Sequence, residues 1–342
     1  MGIKVGVLGV GPVGEHIVRV LHERNFPIDG EITIMATSER EETINGKPVS
    51  VQKVSADIFK RLDLVFFAGK EGAKGASMQW ADIVVKSGCV VIDNGGDFRM
   101  YPNIPLVIPE INMDAVTKDT KHICNPNCST IQMAVALYPL HKAARLRRVV
   151  VSTYQSVSGH SGVGMEQLNA ELTQVLSGEV AQVKQSIFAR QIAFNCIPHI
   201  DSFEKNGYTR EELKMVNETR KIFASPELLI TATTVRVPVL VGHAESVNAE
   251  FMEPMHADRA IEILSDPKRS PGVVCFGEAE QYPVPSDLEK DKWKDTVLVG
   301  RIRDDMTAPN TINLWCVSDN LRKGAATNAV QIAEGMLKNG IL

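Results

Sequence analysis

The chain has 342 residues, 44% of them apolar and 23% charged, and its formal net charge is -4; this balance is typical of a globular protein of about two domains and lacks the basic surplus of a nucleic-acid-binding protein. The six cysteines show no Cys-x-x-Cys spacing, so the sequence predicts neither a disulfide framework nor a metal site. The N-terminus has no signal-peptide pattern and no apolar run reaches the ~20 residues of a membrane helix, so we expect a cytoplasmic protein without a membrane partner.

The first third of the chain alternates β-rich apolar runs with helical patterns. Strands are predicted over residues 3–9, 31–36, 62–67 and 89–92, and a helix over 12–25. Because strands that alternate with helices usually pair in parallel, we predict a Rossmann-like α/β domain with an open, mostly parallel sheet and helices on both faces.

Beyond about residue 125, long β-rich runs follow one another with fewer helices. The β-rich runs are 147–159, 227–251 and 273–279, and the helical patterns between them are 164–178 and 209–224. This arrangement predicts an α+β second domain with a mixed or antiparallel sheet. The tail, residues 320–342, is predicted to form one helix.

A GxGxxG motif occupies residues 9–14, between the first predicted strand and the first predicted helix. Glycine allows a tight turn and a close backbone approach to a pyrophosphate, which binds at the positive N-terminus of the helix. A glycine-rich turn without a ligand is the weaker alternative. The candidate cofactor contacts are Gly9, Gly11, Pro12, Val13 and Gly14.

The end of the second predicted strand bears on the choice between NAD and NADP. An NAD site usually has an acidic residue there, on the ribose 2′-hydroxyl, but this strand ends without one. Thr37, Ser38 and Arg40 follow, and two hydroxyls with a guanidinium suit a 2′-phosphate. We therefore expect NADP, the alternative being an ordinary solvated turn that includes Glu39.

Cys128 is the candidate nucleophile. It stands in the segment NPNCSTI, where a polar turn with a proline leads into an apolar helical run, so it is predicted at a helix N-terminus. The helix dipole there favours thiolate, which can attack an aldehyde or acyl carbon. The alternative, a buried structural cysteine, suits Cys89 and Cys316, which lie in apolar runs.

A thiolate enzyme of this kind needs a general acid or base. His243 follows a long apolar run and a glycine, so its ring is predicted at a strand end, although in isolation it does not outrank His199. Arg236 stands in the same apolar run, where an arginine is costly to bury unless it binds an anion.

The chain resembles the aspartate-semialdehyde dehydrogenases over nearly its whole length. The resemblance rests on six segments in the family's order: NPNCST, STYQSVSG, QIAFNCIPHID, EELKMVNETRKI, RVPVLVGHAESV and DNLRKGAATNAVQIAE. It implies an NADP-binding domain of residues 1–127 and 320–342, to which the C-terminal helix returns. It also implies a catalytic and dimerisation domain of residues 128–319, and a homodimer or homotetramer.

The implied activity is the NADPH-dependent conversion of L-4-aspartyl phosphate to L-aspartate 4-semialdehyde and phosphate, in lysine, threonine and methionine biosynthesis. By resemblance, Cys128 would form the thioester, His243 would be the acid/base and Gln155 would orient the reacting group. Arg236 would bind the substrate α-carboxylate and Glu211 the α-ammonium.

The resemblance implies further contacts with phosphate and cofactor. Lys214, Arg99 and Asn127 would contact the phosphate. Read without the resemblance, Lys214 is one half of an ordinary surface ion pair. Ser158 and Gly159 would touch the nicotinamide end of the cofactor, and Asn320 lies in the family's cofactor-side C-terminal segment.

Three other functions remain open at this point. N-acetyl-glutamyl-phosphate reductase shares the fold and chemistry but needs no clamp of the Glu211–Arg236 type. A malonyl- or succinyl-CoA reductase would keep the nucleophile and the acid/base, and the unusual residues 94–97 before Arg99 keep it open. A non-catalytic paralogue is disfavoured because the whole catalytic set is present.

Overall fold

The computed structural model describes residues 2–69, 72–178 and 187–342. The chain divides into two compact units. Unit 1 comprises Met1–Asn127 and Ala325–Leu342, and unit 2 comprises Cys128–Gly324. None of the described helices is long and apolar enough to span a membrane.

The strands and helices are numbered in chain order. The strands are β1 (Val5–Leu8), β2 (Thr33–Ala36), β3 (Arg40–Ile44), β4 (Lys47–Lys53), β5 (Leu64–Phe67), β6 (Val90–Asp93), β7 (His122–Cys124), β8 (Leu146–Gln155), β9 (Leu229–Arg236), β10 (His243–Phe251), β11 (Val273–Cys275), β12 (Val297–Asp304) and β13 (Thr311–Ser318). The helices are α1 (Pro12–Glu23), α2 (Ala56–Phe59), α3 (Ala76–Lys86), α4 (Pro109–Asn112), α5 (Cys128–Ala144), α6 (Ser161–Leu176), α7 (Arg210–Ile222), α8 (Ala257–Ser265) and α9 (Thr327–Lys338).

Unit 1 contains a sheet in the order β3-β4-β2-β1-β5-β6-β7, parallel except for the β3–β4 pair. Both faces of the central strands β1, β5 and β6 are buried, whereas the β3–β4 hairpin is mostly exposed. Leu64 and Phe66 of β5 pack in a cluster with α1 and α9, whereas Val65 and Phe67 pack in another with α2 and α3. Burial on both faces explains why the strands are apolar runs without alternation. The prediction of a mostly parallel sheet covered on both faces is confirmed.

The β3–β4 hairpin was not predicted from the sequence. Asn45 and Gly46 form its turn with φ of 52° and 75°, the left-handed conformation that two-residue hairpin turns require. The Asn-Gly pair was the available signal. Consequently Arg40 is the first residue of β3, and not part of an isolated solvated turn.

Unit 2 contains a sheet in the order β11-β12-β13-β10-β8-β9, antiparallel in its centre and parallel at both ends. The predicted mixed sheet is confirmed, but the run 227–251 forms two strands, β9 and β10, joined by residues 237–242. α5, α7 and α8 pack against this sheet. Along β8 and β10, buried residues alternate with partly exposed ones, so the other face of the sheet is open along part of these strands. Elsewhere that face is covered, since Leu288 packs on Ala244 and Val317.

The C-terminal helix is shorter than predicted. A π-helical segment, Arg322–Ala326, precedes α9. Directly after β13, the carboxylate of Asp319 accepts hydrogen bonds from the backbone N–H groups of Leu321 and Arg322. These bonds turn the chain out of the strand. From Ala326 onward the apolar residues of this helix pack in the core of unit 1.

Candidate functional site

Cys128 is the first residue of α5, so its predicted position at a helix N-terminus is confirmed. The thiol-bearing residue is partly exposed, whereas nearly all of the following helix is buried. Gly324 lies directly against it, since a Cβ there would be 3.0 Å from the Cys128 Cβ. Sequence reasoning did not single out Gly324, although it stands in the segment LRKGAA that carried the resemblance.

Three strand ends bring the polar side chains of unit 2 together. Gln155 ends β8 and Arg236 ends β9, and these two residues are partners in the parallel ladder. His243 begins β10, which runs antiparallel to β8. Because the carboxyl ends of parallel strands lie at the same sheet edge as the amino end of an antiparallel neighbour, the three side chains meet.

The imidazole of His243 is fully buried and held on one side by Ser156. Its Nδ1 accepts the backbone N–H of Ser156 at 3.0 Å and lies 3.1 Å from the Ser156 hydroxyl. A backbone N–H can only donate, so the neutral ring carries its proton on Nε2. Burial, reinforced by the positive charge of Arg236, holds the pKa of His243 well below its usual value, so the ring is neutral at neutral pH.

Gln155 lies between His243 and an acidic residue. Its Nε2 donates to Glu211 Oε1 at 3.1 Å and lies 3.4 Å from His243 Nε2. Its Oε1 accepts from the Thr153 hydroxyl at 3.0 Å, which fixes the orientation of the amide. The side chain is buried, so this orientation persists without competition from water.

Glu211 is buried, which is unlike the surface ion pair that its sequence context first suggests. The helix that carries it, α7, starts with a capping box in which Thr209 and Glu212 bond reciprocally. Lys214, one turn further, lies 3.5 Å from Glu211 Oε2 and 3.1 Å from Asp201 Oδ2. Glu211 and Lys214 therefore lie on the same face of α7.

The guanidinium of Arg236 is buried beside this group and donates from Nη1 to the carbonyl of Ser156 at 2.7 Å. Burial lowers the pKa of Arg236, while the negative charges of Glu211 and Cys128 oppose that shift. Arg236 thus lies within electrostatic reach of both the carboxylate and the thiol. A group that stays cationic at such burial is suited to an anionic ligand.

Asn320 organises the loops around His243. Its Oδ1 accepts hydrogen bonds from the hydroxyls of Ser156 and Ser158, both at 3.1 Å, and from the Gly242 N–H at 3.0 Å. Gly159 lies directly against Arg236 and His243, because a Cβ on it would be 2.8 Å from Arg236 Nη1 and 3.4 Å from His243 Nε2. Ser158, Gly159 and Asn320 therefore belong to the same cluster as the acid/base candidate.

The GxGxxG residues lie in unit 1, at the junction of β1 and α1. Gly9 has a φ of 122°, and a Cβ on it would be 2.5 Å from the Ala68 carbonyl oxygen. A Cβ on Gly14 would be 2.0 Å from the Gly9 oxygen, so both positions require glycine. α1 begins after Gly11 with Pro12 in its first turn and no side-chain cap, which leaves its first N–H groups for another acceptor. This loop fits a dinucleotide pyrophosphate.

Thr37 and Ser38 are exposed directly after β2. Arg40 Nη1 lies 3.3 Å from the Ser38 hydroxyl, and Arg40 Nε donates to Glu42 at 2.7 Å. One edge of the guanidinium is thus held by a carboxylate while the other faces a hydroxyl. This group fits an additional phosphate, with Glu42 orienting the arginine.

Arg99 and Asn127 also belong to unit 1 and are buried. Arg99 Nη2 donates to the carbonyl of Asn94 at 2.7 Å, just after β6. Asn127 directly precedes Cys128 in the chain. These two candidates are therefore in unit 1, which also contains the glycine motif. The other candidate substrate residues are in unit 2 with His243.

Comparison with known proteins covers both units. The family model described as "Semialdehyde dehydrogenase, NAD binding domain" matches residues 4–119, and the one described as "Semialdehyde dehydrogenase, dimerisation domain" matches residues 137–323. The chain is 45% identical to aspartate-semialdehyde dehydrogenase 2 of Vibrio cholerae, covering 98% of each chain, and 44% identical to the aspartate-semialdehyde dehydrogenase of Aquifex aeolicus, covering 100% of each.

Solved structures give the same result. The crystal structure of aspartate semialdehyde dehydrogenase II from Vibrio cholerae matches with a TM-score of 0.91 and 43% identity, over 99% of each chain. A structure of that protein complexed with ASA matches equally well, with the same TM-score, identity and coverage.

Proposed function

Since the chain belongs to the aspartate-semialdehyde dehydrogenase family, we propose that it converts L-4-aspartyl phosphate and NADPH to L-aspartate 4-semialdehyde, phosphate and NADP+. The observation that carries this proposal is the buried group of Gln155, Glu211, Arg236 and His243, with Cys128 within electrostatic reach of its arginine. A buried amide, acid, cation and neutral imidazole beside a helix-terminal thiol form a set suited to acyl transfer through a thioester.

Cys128 begins the reaction. Its thiolate attacks the acyl carbon of the substrate, a C–S bond forms, and the C–O bond to the phosphate breaks, so phosphate leaves and a thioester remains. The amino end of α5 supports this step, because helix N-termini stabilise thiolate and supply N–H donors for the oxyanion of the tetrahedral stage. When bound, the dinucleotide supplies the hydride that reduces the thioester.

His243 stabilises the oxyanion of the second tetrahedral stage. Since the Ser156 N–H occupies Nδ1, the neutral ring presents a donor at Nε2. We assign to Nε2–H the hydrogen bond to the thiohemiacetal oxyanion, and the ring keeps this proton throughout. The electron pair of the oxyanion re-forms the carbonyl as the C–S bond breaks, which releases the aldehyde and regenerates the Cys128 thiolate.

Charge complementarity favours an aspartyl substrate. The substrate has an ammonium and a carboxylate on one carbon, and the site offers the carboxylate of Glu211 and the guanidinium of Arg236 around one amide, Gln155. An arginine can bind a carboxylate in bidentate fashion. N-acetyl-glutamyl phosphate has no ammonium that could pair with Glu211, so this alternative is less suited to the site.

The phosphate and cofactor contacts complete the proposal. We assign Lys214, Arg99 and Asn127 to the phosphate of the substrate. The pyrophosphate of the dinucleotide would bind at Gly9, Gly11, Pro12, Val13 and Gly14. The 2′-phosphate would bind at Thr37, Ser38 and Arg40, which supports NADP over NAD. Ser158, Gly159 and Asn320 border His243 and would lie at the nicotinamide end.

We also propose that the chain works as a homodimer in the cytoplasm, where thiols stay reduced. The open part of this face of the unit 2 sheet supports a dimer, because the aromatic rings of Tyr154, which is 38% exposed, and Trp315 pack on it with their centroids 5.3 Å apart. Sedimentation of Tyr154→Arg should give a monomer, and Met306→Arg, at a fully exposed position, should not change the mass. A tetramer in the wild type would correct the assignment to dimer.

The function is tested by NADP+ reduction with L-aspartate 4-semialdehyde, with and without inorganic phosphate. We expect phosphate-dependent NADPH formation in the wild type and in Cys196→Ala, whose cysteine is exposed, and none in Cys128→Ala. A requirement for coenzyme A instead of phosphate would assign the protein as an acyl-CoA reductase. Absence of turnover with either acceptor would overturn the proposed activity.

A further inference from the structure

Three side chains that commonly bind metals converge in unit 1, at the carboxyl ends of β6 and β7. The ligand atoms of Asp93, His122 and Cys124 all lie within 4.8 Å of one another. His122 Nε2 is 3.3 Å from Asp93 Oδ2 and 4.0 Å from Cys124 Sγ. One imidazole nitrogen thus faces a carboxylate and a thiol at once.

The sheet register produces this convergence. Asp93 and Cys124 are partners in the parallel β6–β7 ladder, so their side chains leave the sheet on the same side. His122 stands two residues before Cys124 on β7 and therefore shares that side. Cysteine spacing alone predicts no metal site, because the carboxylate is contributed by a different strand.

The distances are close to those of a tetrahedral metal site. With ordinary zinc bond lengths, a nitrogen and a carboxylate ligand are about 3.3 Å apart, and a nitrogen and a thiolate ligand about 3.5 Å apart. The observed separation of Nε2 and Oδ2 is 3.3 Å, and that of Nε2 and Sγ is 4.0 Å. The third separation, between the carboxylate oxygen and Sγ, is at most 4.8 Å, so the Cys124 thiol would have to move towards the other two ligands when an ion binds.

The carboxylate is held in position for this role. Asp93 Oδ1 accepts hydrogen bonds from the Ser77 hydroxyl at 2.7 Å and from the Gly95 N–H at 2.8 Å, while Oδ2 is directed to His122. Outer hydrogen bonds of this kind orient metal-ligating carboxylates. Asp93 and Cys124 are buried, but the His122 side chain is 10% exposed, which leaves an approach for an ion and a water.

We propose that Asp93, His122 and Cys124 bind a divalent transition-metal ion of the zinc class, with water as a fourth ligand. One thiolate, one imidazole and one carboxylate suit Zn2+, whereas Mg2+ and Ca2+ prefer oxygen ligands throughout. The ion would tie β6 to β7 beside the hydrogen bond from the Asn125 N–H to the Asp93 carbonyl, which measures 2.7 Å. Its role is to stabilise the strand that leads into Cys128, and it takes no part in the thioester chemistry.

Cobalt titration tests the proposal, because Co2+ replaces Zn2+ and its spectrum reports both thiolate ligation and geometry. The full-length protein, first treated with chelator, should bind one Co2+ with a thiolate-to-cobalt charge-transfer absorption and intense tetrahedral visible bands. Added Zn2+ should remove both. Cys128→Ser and Cys196→Ser should keep the spectrum, and Cys124→Ser should lose the charge-transfer absorption.

His122→Gln provides a second variant in case Cys124→Ser folds poorly, and its Co2+ affinity should fall at least about 100-fold. Zn2+ should raise the melting temperature of the wild type and of Cys128→Ser but not of either ligand variant. If the spectrum persists in Cys124→Ser and disappears in Cys128→Ser, the metal ligand is Cys128 and the proposal is overturned. Absence of Co2+ binding would also overturn it, leaving a hydrogen-bonded triad.

Discussion

The backbone N–H of Ser156 donates a hydrogen bond of 3.0 Å to Nδ1 of His243. A main-chain donor cannot reverse its role, so this contact determines the tautomer of a buried ring whatever the substrate. The Ser156 hydroxyl and Asn320 hold the donating segment in place. The acid/base candidate is therefore set up by main-chain geometry.

We predict that His243 is neutral and carries its proton on Nε2 at neutral pH. Burial and the charge of Arg236 depress its pKa, so the neutral form should persist until the pH is well below 6.5. Nitrogen-15 NMR of labelled histidine should show an Nε2–H signal that His243→Asn removes. A signal of the Nδ1–H form, or of imidazolium at neutral pH, would refute the assigned tautomer.

Gly159→Ala should reduce activity without unfolding the protein. The new methyl group would be 2.8 Å from Arg236 Nη1 and 3.4 Å from His243 Nε2, so one of these side chains must move. A displacement of this size can lower kcat/KM by about 10- to 100-fold. The measurement is steady-state kinetics with a parallel melting curve.

Gly162→Ala is the matched control, three residues away. Among the described residues, no atom outside the adjoining backbone of α6 lies within 4 Å of the position where its Cβ would stand, and the residue is in the first turn of this helix. We expect unchanged kinetics and equal or slightly higher stability. Equal activity loss in both variants would point to a general effect of the segment, and the steric argument would fail.

Arg236→Lys should weaken substrate binding. Lysine keeps the charge but cannot donate to the Ser156 carbonyl and hold a carboxylate with a planar fork at the same time. We expect kcat/KM to fall about 100-fold, equivalent to about 2.7 kcal/mol, mainly through KM. Arg303→Lys, on the exposed end of β12, should have no effect. A loss confined to kcat would place Arg236 in the chemical step.

Glu245→Gln should change how stability depends on pH. Glu245 is buried between Cys316 and Gln132, and burial raises its pKa from 4.5 to about 8. The folded chain therefore keeps this proton over a range in which the unfolded chain has lost it. The contribution of this group to the free energy of unfolding is therefore at its maximum below about pH 4.5, where Glu245 is protonated in both states. Between about pH 4.5 and about pH 8 the free energy of unfolding falls by about 1.4 kcal/mol per pH unit.

Urea unfolding of the wild type and Glu245→Gln across this range measures the effect. Because glutamine cannot ionise, the variant should become progressively more stable than the wild type as the pH rises. Glu250→Gln, on the same strand but partly exposed, serves as the control. A constant difference between wild type and Glu245→Gln would show that Glu245 ionises alike in both states.

Much of this protein was predictable from short stretches of sequence. The glycine motif at β1 and α1, the position of Cys128 at the start of α5, and the contrast between a parallel and a mixed sheet follow from turn chemistry and from apolar periodicity. These signals act over a few residues, within one strand or one helical turn. The turn of the β3–β4 hairpin is a local signal of the same kind, because Asn45 and Gly46 both adopt the left-handed conformation that a two-residue hairpin turn requires.

The sequence by itself also left His243 and His199 equal, and tertiary structure separated them. His199 is partly exposed and stacks on Phe203 at 4.4 Å, whereas His243 is buried against Ser156 and Gln155. Strand register decides such meetings, because it brings together residues that are distant in the chain. Register depends on how many ladder hydrogen bonds and buried side chains a pairing satisfies at once, and no local pattern encodes that sum. The same reason hid the group of Asp93, His122 and Cys124, which is evident only once β6 and β7 are paired.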